Sequence, residues 1–162
     1  MNRIILVRYT EIHLKGLNRP FFEKKLIANM KSSLKGIPCK IYHEQGRIYV
    51  HSVPDDSFDE AIDRLRRVFG IHSLSPAYVV DKDWDNVVNT CYELMEKEIE
   101  RSGKTSFKVF ARRSDKHYFM NSDAINREMG GLMLERFPCL HVDIHNPEIK
   151  LCIEIRDSAY VY

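Results

Sequence analysis

The first half of the chain alternates between two apolar periodicities, and this alternation restricts the fold more than any other feature. Ile4–Arg8 is a short aliphatic run of the kind that forms a buried strand. In the segment that follows, Phe22, Leu26, Met30 and Leu34 recur at steps of four residues, which is the spacing of one face of an α-helix. We therefore expect the chain to begin with a strand followed by an amphipathic helix.

The next segments predict a hairpin, a second helix and a fourth strand. Lys40–Tyr42 and Arg47–His51 flank Gly46, which supplies the backbone freedom that a tight hairpin needs. Ile71–Val80 is the fourth strand, in which Pro76 predicts an edge position or an interruption. The second helix is predicted from the spacing of Phe58, Ala61, Ile62, Leu65, Val68 and Phe69. The resulting β-α-β-β-α-β order is that of a ferredoxin-like split motif, with two helices on one face of an antiparallel sheet.

The second half starts a new pattern of helices and strands. Asp83 can cap a helix, a strand is predicted at Ser106–Arg112, and another helix begins near Ser122. Further strands are predicted near Leu140–Ile144, Lys150–Arg156 and Tyr160–Tyr162. The chain is thus predicted to be an α+β protein of two domains, residues 1–78 and 79–162.

Composition excludes several classes of protein. With 44% hydrophobic and 30% charged residues, the chain can bury a core and is not disordered. Its longest aliphatic run, Ile4–Val7, is far shorter than the roughly 20 residues that cross a bilayer, so we expect a cytoplasmic protein without a membrane partner. Four cysteines without a Cys-x-x-Cys pair predict neither a zinc site nor a redox pair.

No catalytic centre is evident in the sequence. It contains neither a G-x-x-x-x-G-K-[ST] loop nor a Ser-Gly-Gly-x-Asp-Ser loop for nucleotide chemistry. We therefore expect no catalytic residue, no metal ligand and no cofactor in this chain. His141 and His145 flank Asp143 in a predicted strand and are interpreted as solvated side chains on one face. Gly130-Gly131, inside a predicted helix, indicates either close packing of that helix on the sheet or close approach of an RNA backbone.

A basic segment in the second half is the most informative part of the sequence. Its predicted strand alternates so that positive side chains share one face, and the loop that follows adds more. These cations are Lys108, Arg112, Arg113 and Lys116. Guanidinium and ammonium groups suit phosphate oxygens, and Tyr118 or Phe119 beside them can stack on an unpaired base. A solvated charged face is the alternative interpretation.

A second candidate surface lies between the first strand and the first helix. Lys15 and Arg19 are near the predicted N-terminus of that helix, where free backbone N–H groups favour anions. An ordinary strand-to-helix connection is the alternative interpretation here.

Four motifs make the chain resemble a known family. In chain order they are Arg8–Arg19, Val68–Ala77, Phe107–Lys116 and Glu154–Tyr162. They look like the successive motifs of the tRNA 4-thiouridine synthetases, also known as thiamine-biosynthesis sulfurtransferases. The resemblance extends over essentially the whole chain and departs from the family at Thr10, where glycine is usual.

The resemblance implies an N-terminal ferredoxin-like domain followed by an α/β THUMP domain, which together bind the acceptor stem and the 3′ CCA end of tRNA. In that family a following adenylating domain activates uridine 8 with ATP and Mg²⁺, and a persulfide from a cysteine desulfurase supplies sulfur. That domain would come after Tyr162, so we expect a tRNA-binding piece that is inactive alone. The residues expected to contact tRNA phosphates are Lys108, Arg112, Arg113 and Lys116, with Lys15 and Arg19 as weaker candidates.

Three alternative functions remain open at this point. The THUMP domain could serve another tRNA modification, such as methylation or pseudouridylation. The first half could be an acylphosphatase-like or regulatory domain, for which Arg8 and Asn18 would supply the arginine and asparagine. A dimerisation module without RNA affinity is the third alternative, and a homodimer is left open for the other interpretations as well.

Overall fold

The computed structural model describes residues 2–9, 18–44 and 47–162 of the chain. It divides into two compact units, Arg3–Ala77 and Tyr78–Tyr162, and Asn2 groups with the second of them. The division lies between residues 77 and 78, and the boundary expected from the sequence lies between residues 78 and 79. No helix within the described residues is both long enough and apolar enough to traverse a lipid bilayer.

The first unit has the predicted ferredoxin-like order of elements. They are β1 (Asn2–Tyr9), α1 (Asn18–Ser33), β2 (Lys40–Glu44), β3 (Arg47–His51), α2 (Phe58–Leu65) and β4 (Ile71–Val80). The strands are arranged β2-β3-β1-β4, and β3 pairs antiparallel with both β1 and β2. The two connections that contain a helix, from β1 to β2 and from β3 to β4, each pass over a neighbouring strand, whereas β2 and β3 form a hairpin, as a split β-α-β-β-α-β motif requires.

The core of this unit joins one face of the sheet to the apolar stripes of its two helices. Leu26, Met30 and Leu34 of the first predicted helix are buried, which confirms the spacing argument. The same cluster contains Ile5, Val7, Ile48, Val50, Phe58, Ala61 and Leu65.

The second predicted helix is shorter than its apolar spacing suggests. It ends at Leu65, and the N–H of Val68 then donates to the Leu65 carbonyl in a tighter turn. Gly70 follows with φ +99°, and a Cβ there would lie 2.9 Å from the Phe22 ring. Because the turn rotates the chain before this glycine, Phe69 is 90% exposed. Its predicted place on the buried stripe is wrong.

The proline in the fourth strand does not break it. The strand continues from Ile71 to Val80 through an exposed Pro76, so the predicted interruption is wrong. Within residues 3–77, β4 ends the strand order, where a residue without an N–H group is tolerated. Its last three residues belong to the second unit, where they pair antiparallel with the strand formed by Ala159–Val161.

The second unit packs two helices against a mixed sheet. Its elements are α3 (Trp84–Ser102), β5 (Ser106–Arg113), α4 (Ser122–Arg136), β6 (His141–Val142), β7 (Ile149–Ile155) and β8 (Ala159–Val161). β5 pairs in parallel with β6 and β7, and β7 pairs antiparallel with β8. The helices and the sheet share a core that includes Val87, Cys91, Met95, Phe107, Ile125, Met129, Met133, Ile153 and Ile155. A mixed α+β fold of two domains is therefore confirmed.

Side-chain caps determine where several elements begin and end. The Asp83 carboxylate accepts a hydrogen bond from the N–H of Asp85, which confirms the predicted cap of α3. The predicted strand over residues 140–144 is only two residues long, because the Asp143 carboxylate accepts the N–H groups of His145 and Asn146 and turns the chain. His141 and His145 are both exposed, but they do not share a strand face as predicted.

The paired glycines of α4 are not packed against the sheet. A Cβ atom added at Gly130 or Gly131 would meet no heavy atom within 4 Å. The interpretation of close helix-on-sheet packing is therefore wrong, and close approach of an external group stays a prediction.

Replacing both glycines of α4 with alanine is expected to stabilise the protein by about 2 kcal/mol, since each interior helical glycine costs roughly 1 kcal/mol relative to alanine. Urea denaturation of the double variant Gly130→Ala/Gly131→Ala measures the change. Gly103→Ala is the matched control, because Gly103 also has no close neighbour but adopts φ +67° and should lose stability. A destabilised double variant would contradict the open surroundings of these glycines.

Candidate nucleic-acid interface

Strand β5 separates its side chains between the helix-packed face of the sheet and the opposite face. Phe107 and Val109 are buried in the core with α3 and α4. Lys108, Phe110 and Arg112 alternate with them and project from the opposite face, as the sequence predicted for the two cations. The burial pattern along the strand therefore places Lys108 and Arg112 together on one side.

One carboxylate, that of the buried Glu154, shares this face and lies opposite Arg112 in the parallel register. Across residues 2–9, 18–44 and 47–162, Lys108, Arg112 and Lys116 form no ion pair. The Lys108 ammonium lies 4.8 Å from the centroid of the Phe110 ring, which helps to orient it. Their positive charge is thus available to an external anion.

The neighbouring strand adds one more cation to the same face. Lys150 of β7 is exposed and lies opposite Lys108 in the parallel register. Sequence reasoning missed Lys150, because its place on this surface depends on the pairing of β5 with β7. The available sequence signal was its position between the apolar Ile149 and Leu151, which is the alternation of a strand with one buried face. Glu154 lies opposite Arg112, is only 3% exposed, and has the Arg156 Nε atom 3.8 Å from its Oε2 atom.

Arg113 has a different environment from the other three predicted cations. By the alternation of β5, Arg113 lies on the same face of the sheet as Phe107 and Val109. Its Nη1 atom donates hydrogen bonds to the carbonyls of Lys116 and Tyr118, at 3.1 and 3.3 Å. The side chain therefore holds the next loop against the end of the strand. The structure brings Lys108 and Arg112 together, places Lys116 exposed in the loop, and gives Arg113 an internal role.

The loop from Ser114 to Met120 is held by further polar contacts. The Lys82 ammonium lies 2.8 Å from the Asp115 carboxylate, and this hydrogen bond lowers the pKa of Asp115. The other carboxylate oxygen accepts the N–H of His117. The Tyr118 hydroxyl donates to the Lys82 carbonyl at 2.8 Å. Lys116 thus extends from a loop that is tied down on both sides.

The two aromatic residues at the end of this loop have different exposure. Tyr118 is half-buried, and burial raises the pKa of its phenol. Phe119 is 68% exposed and contacts the rings of Trp84 and Tyr118, with centroids 6.1 and 4.9 Å away. The sequence could not show which of the two rings is buried, because this depends on the hydrogen bond from the Tyr118 hydroxyl to the distant Lys82 carbonyl.

The second predicted surface contains one described cation. Lys15 lies outside the described residues, as does Thr10. Arg19 is at the start of α1, and its Nε atom donates to the Glu23 carboxylate at 2.9 Å. The structure therefore places Arg19 in an ion pair inside the first unit.

Glu23 is the centre of a buried polar cluster that sequence reasoning missed. Its carboxylate also accepts a hydrogen bond from the Tyr9 hydroxyl at 2.7 Å and lies 3.1 Å from the His43 Nε2 atom. Burial alone would raise the pKa of Glu23, but the hydrogen bonds from Tyr9 and Arg19 and the charge of His43 outweigh it and lower the pKa. Burial and the bond to Glu23 raise the pKa of Tyr9 to about 12. The four-residue step from Arg19 to Glu23 was the available sequence signal.

Within the part of the chain that the structure describes, no group of three or more His, Cys, Asp or Glu side chains is arranged to hold a metal ion. The chemistry offered by the second unit is therefore that of a cationic strand face with a shaped, aromatic-tipped loop.

Two family models match the two structural units. Residues 4–75 match the ThiI ferredoxin-like domain, and residues 81–162 match the THUMP domain. The chain belongs to the THUMP family. Its first unit is the ThiI-type ferredoxin-like domain, as the four sequence motifs implied.

Curated relatives that match this chain are longer proteins. A protein named "Probable tRNA sulfurtransferase" from Acetivibrio thermocellus is 40% identical over 164 residues, which is 100% of this chain and 42% of the relative. One of the same name from Lachnospira eligens is 41% identical over 98% of this chain and 41% of its own length. The chain thus spans about two fifths of the curated relatives it matches.

Solved structures that resemble this THUMP-containing chain also belong to longer proteins. A 4-thiouridine synthetase crystallised as an RNA complex with bound ATP has a TM-score of 0.86 and 31% identity, over 100% of this chain and 41% of that one. TrmN from Thermus thermophilus has a TM-score of 0.60 at 18% identity, over 99% of this chain and 44% of that one, which shows a shared fold alone.

Proposed function

We propose that this chain is the tRNA-binding region of a tRNA 4-thiouridine synthetase, and that it contacts the acceptor stem and 3′ CCA end. The observation that carries the proposal is that Lys108 and Arg112 share the helix-free face of β5 and form none of the ion pairs found among the described residues. Similarity along 100% of this chain to 41% of a 4-thiouridine synthetase that was crystallised with RNA supports the same conclusion.

The chemistry of these side chains suits phosphate groups. Arg112 offers a planar fork that can bind two phosphate oxygens, while Lys108 and Lys116 offer mobile point charges. Lys150 lies beside Lys108 and adds to the positive field. Arg113 contributes by holding the loop that carries Lys116, and Lys15 and Arg19 remain weaker proposals for the first unit.

The thiolation chemistry is assigned to the part of the relatives that this chain does not span. There, ATP with Mg²⁺ would activate uridine 8, and a cysteine desulfurase would supply persulfide sulfur, in a cytoplasmic enzyme that also serves thiamine biosynthesis. The described residues of this chain contribute binding and orientation of the RNA.

The proposal is tested by measuring tRNA affinity as a function of salt concentration. If Lys108, Arg112 and Lys116 each neutralise one phosphate of a single-stranded segment, the logarithm of the association constant should fall against the logarithm of salt with a slope of about −2. Filter-binding titrations with unmodified tRNA measure this slope. A slope near zero, or no binding at low salt, would contradict the proposal.

The acylphosphatase-like alternative loses its main support in the structure. The Arg8 guanidinium, which would hold the substrate anion, donates to the Ser75 hydroxyl at 2.9 Å and to the Ser73 hydroxyl at 3.4 Å. An acyl phosphate assayed with the same protein preparation distinguishes the two functions, because turnover would favour the hydrolase.

A further inference from the structure

Phe119 is exposed at a position where nothing in its own packing requires an aromatic residue. It is 68% exposed, whereas the neighbouring Tyr118 and Met120 are half-buried against the core of the second unit. Burial of a phenylalanine side chain stabilises a fold, and most of that gain is absent here. The ring is thus presented to the surroundings instead of being used for stability.

The ring of Phe119 is nevertheless well supported. The Trp84 ring meets it at 83°, and the Tyr118 ring meets it at 49°, so neither neighbour stacks flat on it. On one side of Phe119 the hydroxyl and the carbonyl of Tyr118 are both hydrogen-bonded. On the other side Asn121 caps helix α4 by accepting the N–H of Ala124 at 2.8 Å. The backbone is therefore fixed within two residues on either side of an exposed ring.

The surroundings of this ring favour an anionic aromatic ligand. Lys116, three residues earlier, is exposed and has no acidic partner among the residues that the structure describes. The one acidic side chain of this loop, Asp115, is already paired with Lys82. An exposed aromatic ring and a cation three residues apart in one loop suit a nucleotide, in which a base and a phosphate lie side by side. Inside a duplex both faces of each base are covered by the neighbouring pairs, so the ligand that suits this ring is an unpaired base.

We propose that Phe119 is a stacking residue for an unpaired nucleobase of the bound RNA. This inference rests on the proposed function and adds a preference for single-stranded over double-stranded RNA at the second unit. Tyr118 and Trp84 act as positioning residues that hold the Phe119 ring, and Lys116 contacts the phosphate next to the stacked base.

The test compares two RNA ligands with two variants of the ring. The ligands are an unstructured single-stranded oligonucleotide and a blunt duplex of the same length. Phe119→Ala is expected to weaken binding of the single strand about tenfold, within the range of 1–3 kcal/mol for base stacking on an aromatic side chain. It should change duplex affinity less than twofold, and Phe119→Tyr should bind both ligands like the unmodified protein. Phe69→Ala removes an even more exposed phenyl ring from the other unit and serves as the matched control.

The fluorescence of Trp84 gives a second measurement of stacking, which does not depend on a variant that could be destabilised. Trp84 is the only tryptophan of the chain, and its ring centroid lies 6.1 Å from that of Phe119. Binding of the single strand should therefore change Trp84 fluorescence, and the duplex should not. Unchanged single-strand affinity in Phe119→Ala, or an equal loss for both ligands, would overturn the stacking role while tRNA binding by the unmodified protein still supported the proposed function.

Discussion

The double substitution Lys108→Glu/Arg112→Glu is expected to lower the affinity for tRNA about a hundredfold or more. Both side chains lie on the helix-free face of β5, and neither forms an ion pair among the described residues. Each charged hydrogen bond to phosphate contributes roughly 1.5–3 kcal/mol, and each 1.4 kcal/mol corresponds to a tenfold change in affinity. Reversing the charges adds repulsion, so removal of two contacts should eliminate most binding near physiological salt. Filter binding with unmodified tRNA measures the loss.

A matched control separates this local effect from the change in net charge. Lys97→Glu/Lys104→Glu alters the net charge equally, but Lys97 lies on the acidic helix α3 and Lys104 precedes β5. We expect its affinity to stay within about threefold of the unmodified protein, since distant exposed charges are largely screened at physiological salt. Equal losses in both double variants would show that the β5 face is not the binding surface. Unchanged circular dichroism confirms that each variant is folded.

The second large effect is expected at Glu23, in the buried cluster of the first unit. Glu23→Ala removes the shared partner of Tyr9, Arg19 and His43. Breaking a fully buried charge cluster costs roughly 3–5 kcal/mol, but Arg19 and His43 are partly exposed and can be resolvated. We therefore expect the free energy of unfolding to fall by about 2–3 kcal/mol in urea denaturation.

An exposed pair with the same spacing provides the control for Glu23. Glu60 and Arg64 are also four residues apart and lie 2.6 Å from each other, but more than half of the Glu60 side chain is exposed. Glu60→Ala should cost only about 0.5 kcal/mol, as is usual for surface pairs. If both substitutions had the same small effect, the Glu23 cluster would not stabilise the unit.

The effect of Glu23 is also expected to depend on pH. Its folded-state pKa lies below the ordinary carboxyl value, so its contribution to stability is fully present above that value, near pH 4.3, and is lost as pH falls through the folded-state pKa. The difference in unfolding free energy between the unmodified protein and Glu23→Ala should therefore shrink as the pH falls below the ordinary carboxyl value and through the folded-state pKa of Glu23. A difference that grew on acidification would contradict a lowered pKa.

The element order and the core were predictable because they depend on local periodicity. Leu26, Met30 and Leu34 are buried as their spacing indicates, and the alternation of β5 places Lys108 and Arg112 on one face. The errors lie where side chains or glycines override periodicity. Phe69 satisfies the helical pattern but follows a turn, and Asp143 ends a strand by bonding backbone N–H groups ahead of it.

The candidate site was predictable in composition but not in roles. Four cations close together in sequence indicated a phosphate-binding surface, yet which of them face outward depends on contacts between distant residues. Arg113 faces the loop because the carbonyls of Lys116 and Tyr118 fold back to it. Lys150 joins the surface through the register of β5 with β7, which no local pattern reveals.

The hydrogen bonds from Arg113 to the carbonyls of Lys116 and Tyr118, together with the ion pair of Lys82 with Asp115, hold the loop of residues 114–120 in one conformation before any ligand binds. A flexible recognition segment loses conformational entropy when its ligand orders it, at about 1–2 kcal/mol for each residue. Here that entropy has already been given up during folding, so the segment is preorganised before the nucleic acid arrives. Encounter with RNA then requires little rearrangement of the segment, and a docking arm with this property can release one substrate and capture the next without refolding its recognition surface.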